Sequence, residues 1–114
     1  MRESQAIDAL GALSHELRLR IVRHLVTAGG EGASAGSIGQ AIEAAPSKVS
    51  FHVAILERAQ IISAEKVSRQ IIYRVRFEQI GFLVDYLLSD CCGNSAEVLS
   101  CCGLVKKGAR KKCC

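Results

Sequence analysis

Pro46 is the only proline in this 114-residue chain, and it falls between two short apolar periods. Proline has no amide hydrogen and a φ already near the helical value, so it opens a helix well and fits badly inside one. The chain must therefore break just before residue 46 and restart there as a helix. Upstream, Ile38 and Ile42 give an inner face over residues 35–43, with Ser34 placed to cap them. Downstream, Val49, Val53 and Leu56 recur at four- and three-residue spacing, leaving Ser47, Lys48, Phe51 and Arg58 off the stripe. Two short helices joined by a tight turn, the second with a polar, basic outer face, form a helix-turn-helix.

The flanks supply the rest of a small domain. Residues 4–13 read as a first helix with Ile7, Leu10 and Leu13 on one face. Ser14 suits the N-cap of a second helix, Glu16 suits its first turn, and Leu17, Ile21, Val22 and Leu25 form its stripe beside Arg18, Arg20 and Arg23. Gly29-Gly30-Glu31-Gly32 ends it. Over residues 60–76 the period changes: β-branched residues around Ile61-Ile62 and Ile71-Ile72 flank a hairpin tip at Val67-Ser68-Arg69-Gln70. From 77 to about 90 the helical period returns in Ile80, Leu83, Val84, Leu87 and Leu88. So apolar a helix must pack on the first helix or on a second copy of the chain. The expected class is mainly α with a small β-hairpin, dimerising through its terminal helices. One domain is expected over 1–105, including a cysteine segment at 91–102, followed by a flexible basic tail at 106–114.

The net charge of +4 is unevenly spread. Residues 48–76 carry six basic and two acidic side chains, whereas 77–105 carry four acidic and no basic ones. The tail adds Lys106, Lys107, Arg110, Lys111 and Lys112. A polyanion would thus be held in mid-chain, although such a cluster also suits an ordinary solvated face. No apolar run is long enough to span a membrane, and the N-terminus has no hydrophobic signal region. A cytoplasmic address follows, in which the six cysteines stay reduced and serve a metal or redox sensor rather than a disulfide scaffold. No nucleophile–base set or phosphate loop is visible, so no enzyme and no organic cofactor are expected.

Three motifs in this order resemble the winged-helix metalloregulators of the ArsR/SmtB family. They are Leu10-Gly11-Ala12-Leu13-Ser14-His15-Glu16-Leu17-Arg18-Leu19-Arg20-Ile21, then Ser47-Lys48-Val49-Ser50-Phe51-His52-Val53-Ala54-Ile55-Leu56, then Arg69-Gln70-Ile71-Ile72-Tyr73-Arg74-Val75. The resemblance covers roughly residues 5–92. It implies a recognition helix that brings Ser47, Lys48 and Ser50 to base edges, with Phe51 against a thymine methyl. His52 stands beside the buried stripe, where a structural hydrogen bond competes with a DNA contact. Arg69 and Gln70 at the hairpin tip would reach a flanking minor groove or phosphates, with Arg74 and Arg76 as phosphate or surface charges.

The resemblance also frames the cysteines. Arsenic-responsive members bind As(III) or Sb(III) through thiolates, many at the start of the helix-turn-helix, but here Ala35-Gly36-Ser37-Ile38-Gly39-Gln40 has no cysteine. Zinc-sensing relatives use Asp and His on the last helix; this chain has Asp85 there and no histidine after His52. What remains is Cys91-Cys92-Gly93-Asn94-Ser95-Ala96-Glu97-Val98-Leu99-Ser100-Cys101-Cys102. It resembles the variant with an adjacent pair at the end of the last helix and a third cysteine a short loop later. That third thiol usually comes about six residues on, where Val98 stands, so Cys101 or Cys102 must close the site from a longer loop. Adjacent helical residues point about 100° apart, so Cys91 and Cys92 share an ion only if the helix unwinds, which Gly93-Asn94 permits. Cys113 and Cys114 are a further pair.

The expectation is a homodimeric repressor that binds double-stranded operator DNA and lets go when As(III), Sb(III) or a methylated arsenical binds these thiolates, as in arsenical resistance. Three alternatives share the residues: a structural or sensory zinc, a thiol redox switch, and an intracellular thiol carrier of metal or metalloid. Zinc sites favour a Cys-x-x-Cys bite, absent here. The neighbouring acids oppose the low thiol pKa that a redox switch needs. A carrier would have no use for Lys48 or a basic hairpin.

Overall fold

The computed structural model describes residues 1–103. The expected tail at 106–114, with Cys113 and Cys114, lies outside the described residues.

Helix α1 (Glu3–Leu13) is followed at once by α2 (Glu16–Ala28), then a single 3-10 turn over Gly29–Glu31. A two-residue strand, β1 (Ala33–Ser34), leads into α3 (Ala35–Ile42) and α4 (Pro46–Arg58). Strands β2 (Ile62–Val67) and β3 (Gln70–Val75) form the hairpin, and α5 (Phe77–Tyr86) follows. A π-helical turn over Leu87–Cys91 and a short α6 (Ala96–Cys101) complete the described chain. The hairpin pairs Val67 with Gln70 and Ile62 with Val75, and its two-residue loop holds Ser68 at φ +59°. β1 adds a third strand on the far side of β3, with Ala33 opposite Tyr73 and Ser34 opposite Ile72. It is too short to announce itself in a sequence.

The core is aliphatic, as the scarcity of aromatics requires. Ile21, Leu25, Ile38, Val49, Leu56, Ile61 and Ile62 are fully buried, joining α2, α3, α4 and β2. The stripes expected on α3 and α4 are the buried ones. Helix α1 differs from expectation. It buries Ala6, Ala9 and Ala12, while Ile7 is 61% and Leu10 43% exposed. Small side chains let α1 lie close to α2 and α4, which leaves the larger apolar ones facing away. In α5 only Leu83 is buried; Ile80, like Leu87 just after the helix, is half-covered, and Phe82 and Val84 are exposed.

The start of α2 also differs. Its cap is His15, whose Nδ1 accepts the Leu17 amide at 3.0 Å, and Ser14 instead closes α1 through its amide to the Gly11 carbonyl at 3.2 Å. Gly32, at φ +69°, passes so near β3 that a Cβ there would stand 2.5 Å from the Tyr73 carbonyl oxygen. No helix among the described residues is long and apolar enough to cross a membrane.

Candidate nucleic-acid interface and thiol site

The α3–α4 turn is built locally. Ser34 Oγ accepts the Ser37 amide at 3.2 Å and starts α3. Glu43 ends it in the left-handed region at φ 55°, and the Ala44 amide returns to the Gly39 carbonyl at 3.0 Å. A Cβ on Gly39 would meet the Ala44 carbonyl at 3.1 Å, so the turn folds back tightly over this residue. Pro46 then opens α4 at its first position. Along α4 the buried side holds Val49, His52, Val53 and Leu56, which turns Ser47, Lys48, Ser50 and Phe51 outward. Phe51 is 62% exposed.

His52 does not share that outer face. It is 6% exposed, and its Nδ1 lies 3.2 Å from Arg18 Nη1. Its ring stands 4.5 Å from the His15 ring and meets Phe51 edge-on at 5.2 Å. Because a guanidinium only donates, Nδ1 is the acceptor, which fits a neutral imidazole. Burial lowers the His52 pKa below its ordinary 6.5, and the charges of His15, Arg18 and Lys48 add to the effect. The placement of His52 among the DNA-contacting residues is thus corrected: its edge is spent inside the protein, holding α4 to the α1–α2 junction. Arg18, which the sequence showed only as one cation beside the α2 stripe, is the hub of that junction. Its Nε donates to the Ala12 carbonyl at 2.6 Å and its Nη2 to the Gly11 carbonyl at 3.5 Å. Those carbonyls belong to the last turn of α1, where a cation is favoured. The sequence signal was its position one residue from Leu17 and three from Ile21, at the margin of a buried face.

In the wing, Arg69 and Gln70 are exposed at the hairpin tip as expected. Arg74 is engaged within the domain, donating to the Gly30 carbonyl at 2.8 Å and to Glu65 at 2.7 Å. Arg76 donates to Gln60 Oε1 and lies 3.7 Å from Glu78. Of the basic residues in the hairpin, Lys66 and Arg69 face outward.

The cysteines follow a helix that loosens four residues before Cys91. The Cys92 amide reaches the Leu87 carbonyl at 2.9 Å, five residues back, and the Asn94 amide reaches Leu88 at 2.7 Å. Gly93 and Asn94 then take φ of 56° and 55°, reversing the chain. The helix does leave α geometry here, but by widening first. A second difference follows: the connection to Cys101 and Cys102 is not a loop but α6, started by Ser95. Cys91 and Cys92 are exposed, Cys101 is half-buried. Cys101 is disulfide-bonded rather than the reduced thiol expected. Among the described residues no three His, Cys, Asp or Glu side chains gather as a metal-holding group. The three-thiolate arrangement is therefore not preassembled. Burial first, then the neighbouring Glu3, Cys91 and Asp90, raise the Tyr86 pKa.

The helix-turn-helix domain family matches residues 13–63, spanning α2, α3 and α4. No curated protein matches this sequence. Among solved structures, the transcriptional repressor BigR from Xylella fastidiosa is 29% identical, with TM-score 0.59, covering 80% of this chain and 90% of its own. An ArsR-like transcriptional regulator from Rhodococcus sp. RHA1 is 22% identical, with TM-score 0.70 and coverage of 79% and 82%. The homodimeric winged helix-turn-helix domain of Mb0332 from Mycobacterium bovis, a possible ArsR-family regulator, is 19% identical, with TM-score 0.60 and coverage of 76% and 84%.

The chain shares its fold with ArsR-like winged-helix transcriptional regulators. The matched helix-turn-helix spans α2, α3 and α4, in the fold that these regulators use. Within it, α4 is the recognition helix and the β2–β3 hairpin is the wing.

Proposed function

We propose that this protein is a homodimeric operator-binding repressor of the ArsR family that dissociates from DNA when a trivalent arsenical or antimonial binds its cysteines. The observation that carries the reading is the exposed Cys91–Cys92 pair at the end of the π-turn that follows α5. Backbone that has already left α geometry lets neighbouring thiolates swing toward one ion. As(III) takes three soft ligands in a pyramid, so a third sulfur must join them. Cys102, the residue just past α6, is offered for that part.

Dimerisation follows from the exposed apolar side chains of the two terminal helices, Ile7 and Leu10 on α1 and Phe82 and Val84 on α5. A two-fold dimer sets two α4 helices about one DNA turn apart, facing a pseudo-palindrome. Ser47, Lys48 and Ser50 would meet base edges, Phe51 a thymine methyl, and Arg69 and Gln70 the flanking backbone or minor groove. Ion binding at Cys91 and Cys92 pins the chain beside the dimer seam and changes the angle between the two reading helices. A coupling of about 1–3 kcal/mol per ion is typical, so two ions per dimer shift occupancy strongly.

The test is an anisotropy titration on a duplex from its own promoter, with and without arsenite. Binding that arsenite reverses is expected, and Cys91→Ser with Cys92→Ser should bind DNA normally but no longer release. Binding that persists under saturating arsenite would refute the sensing role. Loss of DNA affinity in the double serine variant would refute the separation of the two sites.

A further inference from the structure

A groove runs along α2 and past the α3–α4 turn. Its wider part, about 670 Å³, lies between Leu17 and Arg20 of α2, the Glu43–Ala45 turn and Lys48 of α4. A continuation of about 300 Å³ has Arg20, Arg23 and His24 on one wall and Ala41 and Ile42 on the other. The two parts share Arg20, Ala41 and Ile42, which makes them contiguous.

We propose that this groove seats the sugar–phosphate backbone of the DNA strand flanking the recognition helix, with Arg20 and Arg23 as phosphate contacts. The inference rests on the operator-binding reading and extends the DNA surface beyond α4 and the wing, onto α2. Lys48 is the third residue of α4, at the end that a recognition helix presents to base edges. Arg20 lies across the same groove from it, so a strand met by Lys48 also passes Arg20. Arg20 and Arg23, three residues apart, share one side of α2 and continue the cationic wall. Arg18 is turned away from them and is occupied by the α1 carbonyls and His52.

Two acids temper the groove. Glu16 pairs with Arg20 at 2.7 Å, and Glu43 stands in the wider part. The Glu16 pair leaves 52% of the Arg20 side chain exposed, and a pair so exposed holds weakly enough to yield to a phosphate. Ala41, Ala44 and Ala45 keep the wall of the wider part low, beside the larger Leu17 and Ile42.

The experiment is anisotropy on a promoter duplex and a scrambled duplex of equal length, across a salt series. The probes are the wild type, Arg20→Ala with Arg23→Ala, and Glu43→Gln. The double variant should bind both duplexes about tenfold more weakly or worse, with the slope of log K against log salt smaller by about two. Glu43→Gln should bind both about two- to fivefold more tightly, since it removes a charge that repels phosphate. Unchanged affinity and slope in the double variant would overturn the groove while leaving operator binding intact. So would a loss confined to the promoter duplex, because phosphate contacts do not discriminate sequence. If the wild type held neither duplex, the operator-binding reading would fail first and the groove with it.

Discussion

Arg18 Nη1 meets His52 Nδ1 at 3.2 Å, joining the first turn of α2 to the middle of α4 across 34 residues of chain. The same guanidinium holds the last carbonyls of α1, so one side chain fixes three helices at their common corner. The outward face of α4 is therefore oriented from behind, by a bond on its buried side.

Replacing Arg18 by alanine should destabilise the domain by about 2–4 kcal/mol, since charge-assisted hydrogen bonds are lost and an inward-facing imidazole nitrogen loses its donor. Urea unfolding followed by circular dichroism measures this. A change below about 0.5 kcal/mol would show that the corner is held by apolar packing alone.

His52 makes stability depend on mild acid. Its folded pKa lies below 6.5, so between the folded and unfolded values the unfolded chain carries more protons. The contribution is fully present above about pH 6.5 and shrinks as pH falls through the folded pKa. Melting temperature should decline on that side, and His52→Asn, which keeps an acceptor near Nδ1 but does not titrate, should flatten the decline. Identical pH profiles for the two proteins would remove His52 from the account.

Gly32 is confined by both angle and space. A Cβ would stand 2.5 Å from the Tyr73 carbonyl oxygen and 2.7 Å from Ile72 Cγ2, at φ +69°. Gly32→Ala should cost about 2–4 kcal/mol, combining left-handed strain with overpacking. By contrast, Gly30→Ala has open space at normal φ and should be nearly neutral in the same unfolding assay. Equal losses for the two substitutions would contradict the close approach of this segment to β3.

The exposed faces of α1 and α5 predict assembly. Ile7→Glu or Phe82→Glu should weaken self-association about tenfold or more while leaving the monomer fold intact, because both side chains are largely exposed. Sedimentation velocity over a concentration series gives the result. An undiminished dimer in both variants would place the seam elsewhere.

Legibility in the sequence followed the range of the interactions. Ser34, Pro46 and the Val49–Val53–Leu56 stripe act within a turn or two of themselves, so the helix-turn-helix and its outward residues were readable. The hairpin was readable for the same reason. On α1, hydropathy favoured Ile7 and Leu10 over the alanines, yet close helix approach selected Ala6, Ala9 and Ala12. Ser14 is a better cap by type, but the chain turned one residue later, where the His15 imidazole served instead. The inward turn of His52 and the role of Arg18 depend on packing between distant elements, which no local spacing reports. The π-turn before Cys91 and the helix after Asn94 were hidden in the same way, because the cysteines marked the chemistry and not the backbone that carries it.

With Ala33 and Ser34 lying along β3, the long unpaired margin of the little sheet is β2, and Glu65 and Lys66 sit upon it. Charged side chains there discourage a stranger's strand from stitching itself on. That margin is thereby closed to fibrous growth, which leaves the helices as the surface for an orderly pairing of copies.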